Sequence, residues 1–153
     1  MHTRNKLSLR LAALAMFAAS ALHVVALLVG PGMIAALGSP DNIVASARQG
    51  TLLAPLVILG IALALAVLGL VAWSTAGRSH RLPFTRFVLG AAACIFILRG
   101  AALPVVWLML PAAQKPLPPF EVATAVLCFL IGLAFLPGVR KGAGTLARVQ
   151  ARA

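Results

Sequence analysis

Residues 52–73 read LLAPLVILGIALALAVLGLVAW, and residues 74–86, immediately after, read STAGRSHRLPFTR. The first string carries no charge over 22 positions, and an α-helix needs about 20 residues to cross ~30 Å of hydrocarbon at ~1.5 Å per residue. Pro55 falls in its first turn, where the missing N–H has no partner inside the helix to lose. The second string brings Arg78, Arg81 and Arg86 around a Leu82-Pro83 turn. An apolar span that ends in a basic cluster reads as a membrane helix arriving at the cytoplasmic face.

Three further runs share this character, placing spans at about 9–30, 52–73, 85–110 and 118–137, with a basic tail at 138–153. Gly30-Pro31-Gly32 closes the first run. The fourth opens near Pro118-Pro119 and closes at Leu136-Pro137-Gly138, so the helix breakers fall mostly between runs. The composition agrees: of 153 residues 62% are hydrophobic and 10% charged, against roughly 25% charged in a soluble domain. With a mean hydropathy of +1.06, a chain of this size has more apolar surface than its own interior can hide, and the surplus faces lipid. The expected fold is all-α, a four-transmembrane-helix bundle forming a single membrane domain over 1–153.

The first run also resembles a secretory signal, with small residues at Ala18-Ala19-Ser20-Ala21 to serve a cleavage site. Its apolarity continues to Val29 with only Ser20 and His23 intervening, too long for a signal core, and an uncleaved first helix is expected.

Orientation follows from where the basic residues stand. Arg4, Lys6 and Arg10 accompany the first span, Arg78, Arg81 and Arg86 lie between the second and third, and Arg140, Lys141, Arg148 and Arg152 follow the fourth. The other two connections carry one each, Arg48 and Lys115, a division of ten against two with Arg99 set aside as intramembrane. This alternation predicts both termini in the cytoplasm, with Trp73 and Trp107 at opposite interfaces. The same distribution argues against nucleic acid as a partner despite a net charge of +11, because phosphate contacts need a basic surface displayed in water. Membrane lipids are the partners this pattern implies. Arginine outnumbers lysine ten to three in an Ala- and Leu-rich chain, a composition that fits a GC-rich bacterial gene and an inner-membrane location.

The connection at 31–51 holds a short apolar turn, Met33 to Leu37, closed by Gly38. Ser39-Pro40-Asp41 then reads as an N-cap with proline at the first helical position. A second amphipathic turn would carry Ile43, Val44 and Ala47 on one side, lying on the outer membrane surface or folded back over the mouth of the bundle.

Arg99 is the residue that stands out. A guanidinium near the bilayer centre costs about 2.5–3.5 kcal/mol even on the lenient insertion scale. Two readings stand: it faces an interior partner or cavity, or it snorkels outward with help from a bend at Pro104. His23 is expected at nearly the same depth, ~21–23 Å from the cytoplasmic side, on a helical face with Ala15, Ala19, Ala26 and Gly30. It either joins Arg99 or makes a hydrogen bond to Ser20, Thr124 or a backbone carbonyl. Glu121, in the first turn of the fourth helix, favours the helix dipole and has Arg48 and Arg99 as alternative ion-pair partners.

Cys94 and Cys128 lie inside apolar runs with no CxxC and no Cys/His cluster, so neither a redox motif nor a zinc site is indicated. No carboxylate sits in mid-span for proton-coupled export. One intramembrane histidine does not provide bis-histidine haem ligation, and nucleophile–base and phosphate-loop motifs are missing. No cofactor or metal is expected, and catalysis is not, apart from a lipid-directed enzyme built on Arg99 and His23.

Gly38-Ser39-Pro40, Ala47-Arg48-Gln49-Gly50-Thr51, Leu82-Pro83 and Leu98-Arg99-Gly100 together resemble a group of small uncharacterised four-helix inner-membrane proteins of Gram-negative bacteria. The resemblance spans roughly 30–104. It implies four helices and directs attention to Arg48 and Arg99; it implies no mechanism. The leading expectation is a membrane protein acting as an oligomer or through a membrane-protein partner. The alternative is an anion or lipid head-group protein using Arg99 and His23.

Overall fold

A computed structural model describes residues 2–77, 85–109 and 119–150, with side chains over 6–77, 85–105, 107–109 and 119–139. Arg78, Arg81, Leu82-Pro83, Lys115, Pro118 and Arg152, all named above, lie outside the described residues, as does position 110 at the end of the third expected span. The elements in order are α1 (His2–Val29), α2 (Pro31–Ala36), α3 (Asp41–Arg48), α4 (Leu53–Gly77), α5 (Thr85–Met109) and α6 (Pro119–Gln150). Among the described residues there is no strand. Four segments are long and apolar enough to cross a membrane: Lys6–Val29, Leu53–Gly77, Thr85–Met109 and Pro119–Val139. The all-α fold with four membrane-length helices is as expected.

Helix ends differ from expectation chiefly at α1 and α6, and α4 runs on to Gly77. The basic residues before the first apolar run are already helical, α1 starting at His2. More notably, α6 does not stop at Pro137-Gly138 but continues to Gln150. Pro137 gives up one backbone hydrogen bond, to the carbonyl of Leu133, and packing compensates for it. Phe135 is fully buried. Gly138 is so close to its neighbours that an added Cβ would lie 2.7 Å from Leu89 Cδ1 and 3.4 Å from Leu9 Cδ2. A Pro-Gly pair ends a helix in water, whereas membrane helices tolerate it where neighbours cover the freed groups.

The chain divides into two compact units, Leu14–Gly69 and Met1–Ala13 with Leu70–Ala153. In the first, α1 and α4 pack antiparallel: an added Cβ at Gly69 would lie 2.8 Å from Phe17 Cε1, and Ser20 Oγ donates to the Ala62 carbonyl at 2.8 Å. At the other end of this pair, Ile34 of α2 and Ile43 and Val44 of α3 are buried in one cluster with Ala26, Ala54 and Ile58. Ala47 packs against it from the side. The 31–51 connection is thus folded back over the α1–α4 mouth, one of the two placements its amphipathic pattern allowed. Gly38 (φ +73) and Gly50 (φ +66) end α2 and α3 in left-handed turns, a conformation that costs a residue with a Cβ about 1–2 kcal/mol.

One local expectation is corrected. Ser39 does not cap α3. Pro40 occupies the N-cap itself, extended at φ −57 and ψ 148, and its carbonyl accepts the Ile43 and Val44 N–H groups at 2.9 and 3.2 Å. With Pro40 itself extended at ψ 148, the first helical residue is Asp41, one residue later than the Ser-Pro pattern suggests.

In the second unit α5 and α6 pack antiparallel through small residues. A Cβ at Gly100 would lie 2.7 Å from the Ala125 carbonyl oxygen, and one at Gly132 would lie 2.9 Å from the Ile97 nitrogen. The Phe96 and Phe135 rings meet at 6.1 Å, tilted by 51°. The Arg10 guanidinium stands 5.9 Å from the Trp73 ring centre, a cation–π contact of the kind that anchors an interfacial tryptophan.

Candidate functional site

Arg99 lies fourteen residues after Thr85 and ten before Met109 on α5, so it sits ~21 and ~15 Å from the two helix ends. Its neighbour Gly100 turns into the α6 seam against Phe129, and Arg99 itself is exposed. The only carboxylate in its unit is Glu121, in the first turn of α6 and also exposed. Glu121 is eight residues from Phe129, roughly 12 Å along the axis. These two charges are not brought together, and Glu121 stands where it favours the α6 dipole. Arg99 makes no hydrogen bond to a described residue of its unit.

His23 is half-buried on α1, with Nδ1 2.8 Å from the Ala19 carbonyl oxygen. A carbonyl only accepts, so Nδ1 carries a proton and donates it to Ala19. Its partner is therefore a backbone carbonyl of its own helix rather than Ser20, which donates to Ala62, or Thr124, which donates to the Phe120 and Glu121 carbonyls at 2.9 and 3.0 Å. His23 and Arg99 belong to different units.

Arg48 ends α3 and lines an open cleft of about 450 Å³ between α2 and α3, with Ala35, Ser39, Asp41, Ala45 and Gln49 around it and Val44 beneath. Asp41, Ala45 and Arg48 follow the i, i+4, i+7 spacing of one helix face, with the buried Ile43 and half-buried Ala47 on the far side. Asp41 and Arg48 stand at the two ends of α3, acidic in its first turn and basic in its last, each favourable to the helix dipole. They form no ion pair with each other.

Beneath the cleft is a residue that the sequence did not single out. Ser46 is 5% exposed. Its Oγ lies 2.6 Å from Thr51 Oγ1 and accepts the Ala54 N–H at 2.9 Å. A serine on α3 thereby caps the first turn of α4, satisfying a donor that a helix start leaves open. The available signal was a lone hydroxyl on the apolar side of an amphipathic turn, next to Ala47.

Cys94 is exposed, Cys128 is partly buried and both are free. Among the described residues no three His, Cys, Asp or Glu side chains converge closely enough to hold a metal ion. Comparison with known protein families, with characterised proteins and with solved structures finds no match.

Proposed function

We propose that the chain is a multi-pass protein of a bacterial inner membrane, with both termini cytoplasmic, and that it works as one subunit of a membrane assembly: a homo-oligomer, or a complex with another membrane protein. One observation carries this reading: Arg99 is exposed, ten residues from the nearer end of a 25-residue membrane-length helix. Facing lipid there costs about 2.5–3.5 kcal/mol, and a neighbouring subunit with an acceptor at that depth removes the cost. The large apolar side chains around it, among them Ile95 and Leu98, leave room for such a neighbour. The bacterial and inner-membrane parts rest on the arginine-weighted composition and on the resemblance described above. An anion held jointly by Arg99 and His23 ranks second, because the His23 Nδ1–H is already given to Ala19.

The test is the mass of the particle in mild detergent, by native mass spectrometry, for the wild type, Arg99→Leu and Arg99→Lys. The wild type is expected as a stoichiometric assembly, Arg99→Leu as single chains, and Arg99→Lys as a mixture. In a harsh detergent that separates subunits, Arg99→Leu should unfold no earlier than the wild type, which excludes an internal role. A wild type that runs as a clean monomer in mild detergent, and gives no crosslink through exposed Cys94 in native membranes, would sink the proposal.

A further inference from the structure

We infer that the α2–α3 cleft is a head-group site for a phosphate ester bearing a primary ammonium, the head group of an aminophospholipid, with the phosphate on Arg48 and the ammonium on Asp41. The site is separate from Arg99 and stands or falls independently of the assembly proposed above.

The first ground is charge geometry. Asp41 and Arg48 lie on one face of α3, seven residues and so ~10.5 Å apart along the axis. They flank the cleft with opposite charges that do not pair with each other. A long helical side chain leans back toward the helix N-terminus, which brings the guanidinium toward Asp41. A phosphate and an ammonium joined by two carbons, with a charge-assisted hydrogen bond of ~2.8 Å at each end, fit a separation of this size. The guanidinium fork suits a phosphate better than a point charge does. The Gln49 amide and the Ser39 hydroxyl, on the same rim, supply further donors to the phosphate oxygens.

The second ground is position. The cleft sits between Val29, where α1 ends, and Leu53, where α4 begins, which is the level of the head groups of a membrane crossed by these helices. Leu28 is 81% exposed, Val29 66% and Leu52 74%. Apolar side chains left this open at the ends of membrane helices meet acyl chains. A ligand that places a charged head on α3 and two chains over these residues satisfies both surfaces.

The third ground is rigidity. Val44, at the floor of the cleft, is buried in the cluster that holds Ile34 and Ile43, and Ser46 ties α3 to the start of α4 through Ala54. The charges therefore project from a fixed frame.

This chemistry makes a selectivity prediction that a dipole role for Asp41 and Arg48 does not. Phosphatidylethanolamine offers N–H donors to Asp41. Phosphatidylcholine offers a cation with none, and phosphatidylglycerol offers no cation.

The experiment titrates full-length protein in detergent with short-chain forms of these three lipids, and with free phosphoethanolamine, and counts bound ligand by native mass spectrometry. Phosphatidylethanolamine should bind about tenfold more tightly than the other two lipids, the weight of one charge-assisted hydrogen bond. Arg48→Gln and Asp41→Asn should each lose about that factor, while Arg48→Lys and Asp41→Glu keep most of the binding and confirm that the cleft is intact. Equal binding of all three lipids, or wild-type binding by both Arg48→Gln and Asp41→Asn, overturns the site. Displacement of the lipid by an equal concentration of free phosphoethanolamine overturns the lipid as its source.

Discussion

Ser46 shows how much one buried hydroxyl can organise. Its Oγ accepts from the Ala54 N–H and meets the Thr51 hydroxyl, so a single side chain fixes where α4 starts and where α3 lies relative to it. Ser46→Ala removes the acceptor without adding bulk, and a lost N-cap costs about 1–2 kcal/mol. The expected result is faster amide exchange at Thr51 and Ala54 and earlier proteolysis within 31–51, with α5 and α6 unaffected. Unchanged exchange at Ala54 would remove Ser46 from this role. The sequence did not reveal this contact because the cap comes from a different helix, eight residues upstream, and local capping patterns look only a few positions away. The position of Arg99 along α5, by contrast, was readable, since it depends on counting residues at a constant rise. Direction was not: which way Arg99 points depends on how Gly100 seats against α6, a rotation set by packing.

The α5–α6 pair depends on glycine at two points of closest approach. At Gly100 the atoms in the way are the Ala125 carbonyl oxygen and the Phe129 nitrogen, at 2.7 and 2.9 Å from an added Cβ. At Gly132 the Ile97 nitrogen and the Ala93 carbonyl oxygen lie at 2.9 and 3.0 Å. Backbone cannot swing aside as a side chain can, so Gly100→Ala and Gly132→Ala force the helices apart. Each should lower stability by about 1–3 kcal/mol, the usual cost of overpacking. Gly60 provides the internal comparison: an added Cβ there meets nothing within 4 Å, and Gly60→Ala should be neutral or stabilising by up to about 1 kcal/mol through helix propensity. Thermal unfolding in detergent separates the two classes, and equal midpoints for all three variants would refute the close approach. The existence of these helices was legible in hydropathy, because lipid imposes both length and apolarity. The end of α6 was not. Pro137-Gly138 carries a stop signal calibrated on helices in water, and here Leu9 and Leu89 cover the turn that the proline weakens.

For the molecule as a whole, the reading that remains to be tested is which side of the membrane each end occupies, and it bears on both proposals. Ten basic residues on one set of connections against two on the other is the kind of asymmetry that orients membrane helices, since short loops rich in Lys and Arg stay in the cytoplasm. It puts the α2–α3 cleft on the outer face and the Arg10–Trp73 contact on the inner one. In a background with Cys94 and Cys128 replaced by alanine, Asn42→Cys, at an exposed position of α3, should react with a membrane-impermeant maleimide in spheroplasts, whereas Ala153→Cys should react only after the membrane is opened. Replacing Arg78, Arg81 and Arg86 with glutamine should make the labelling mixed, because that connection then loses its cytoplasmic preference. If Asn42→Cys is protected and Ala153→Cys is labelled, the chain is inverted and the cleft samples the inner leaflet. Its chemistry would be unchanged, because Asp41 and Arg48 recognise a head group in either leaflet, but the charge asymmetry would need a cause other than retention in the cytoplasm. Arg99 is indifferent to this inversion, lying ~21 and ~15 Å from the ends of α5. The assembly proposal therefore survives either topology, and the labelling experiment isolates the one inference that rests on loop charge alone.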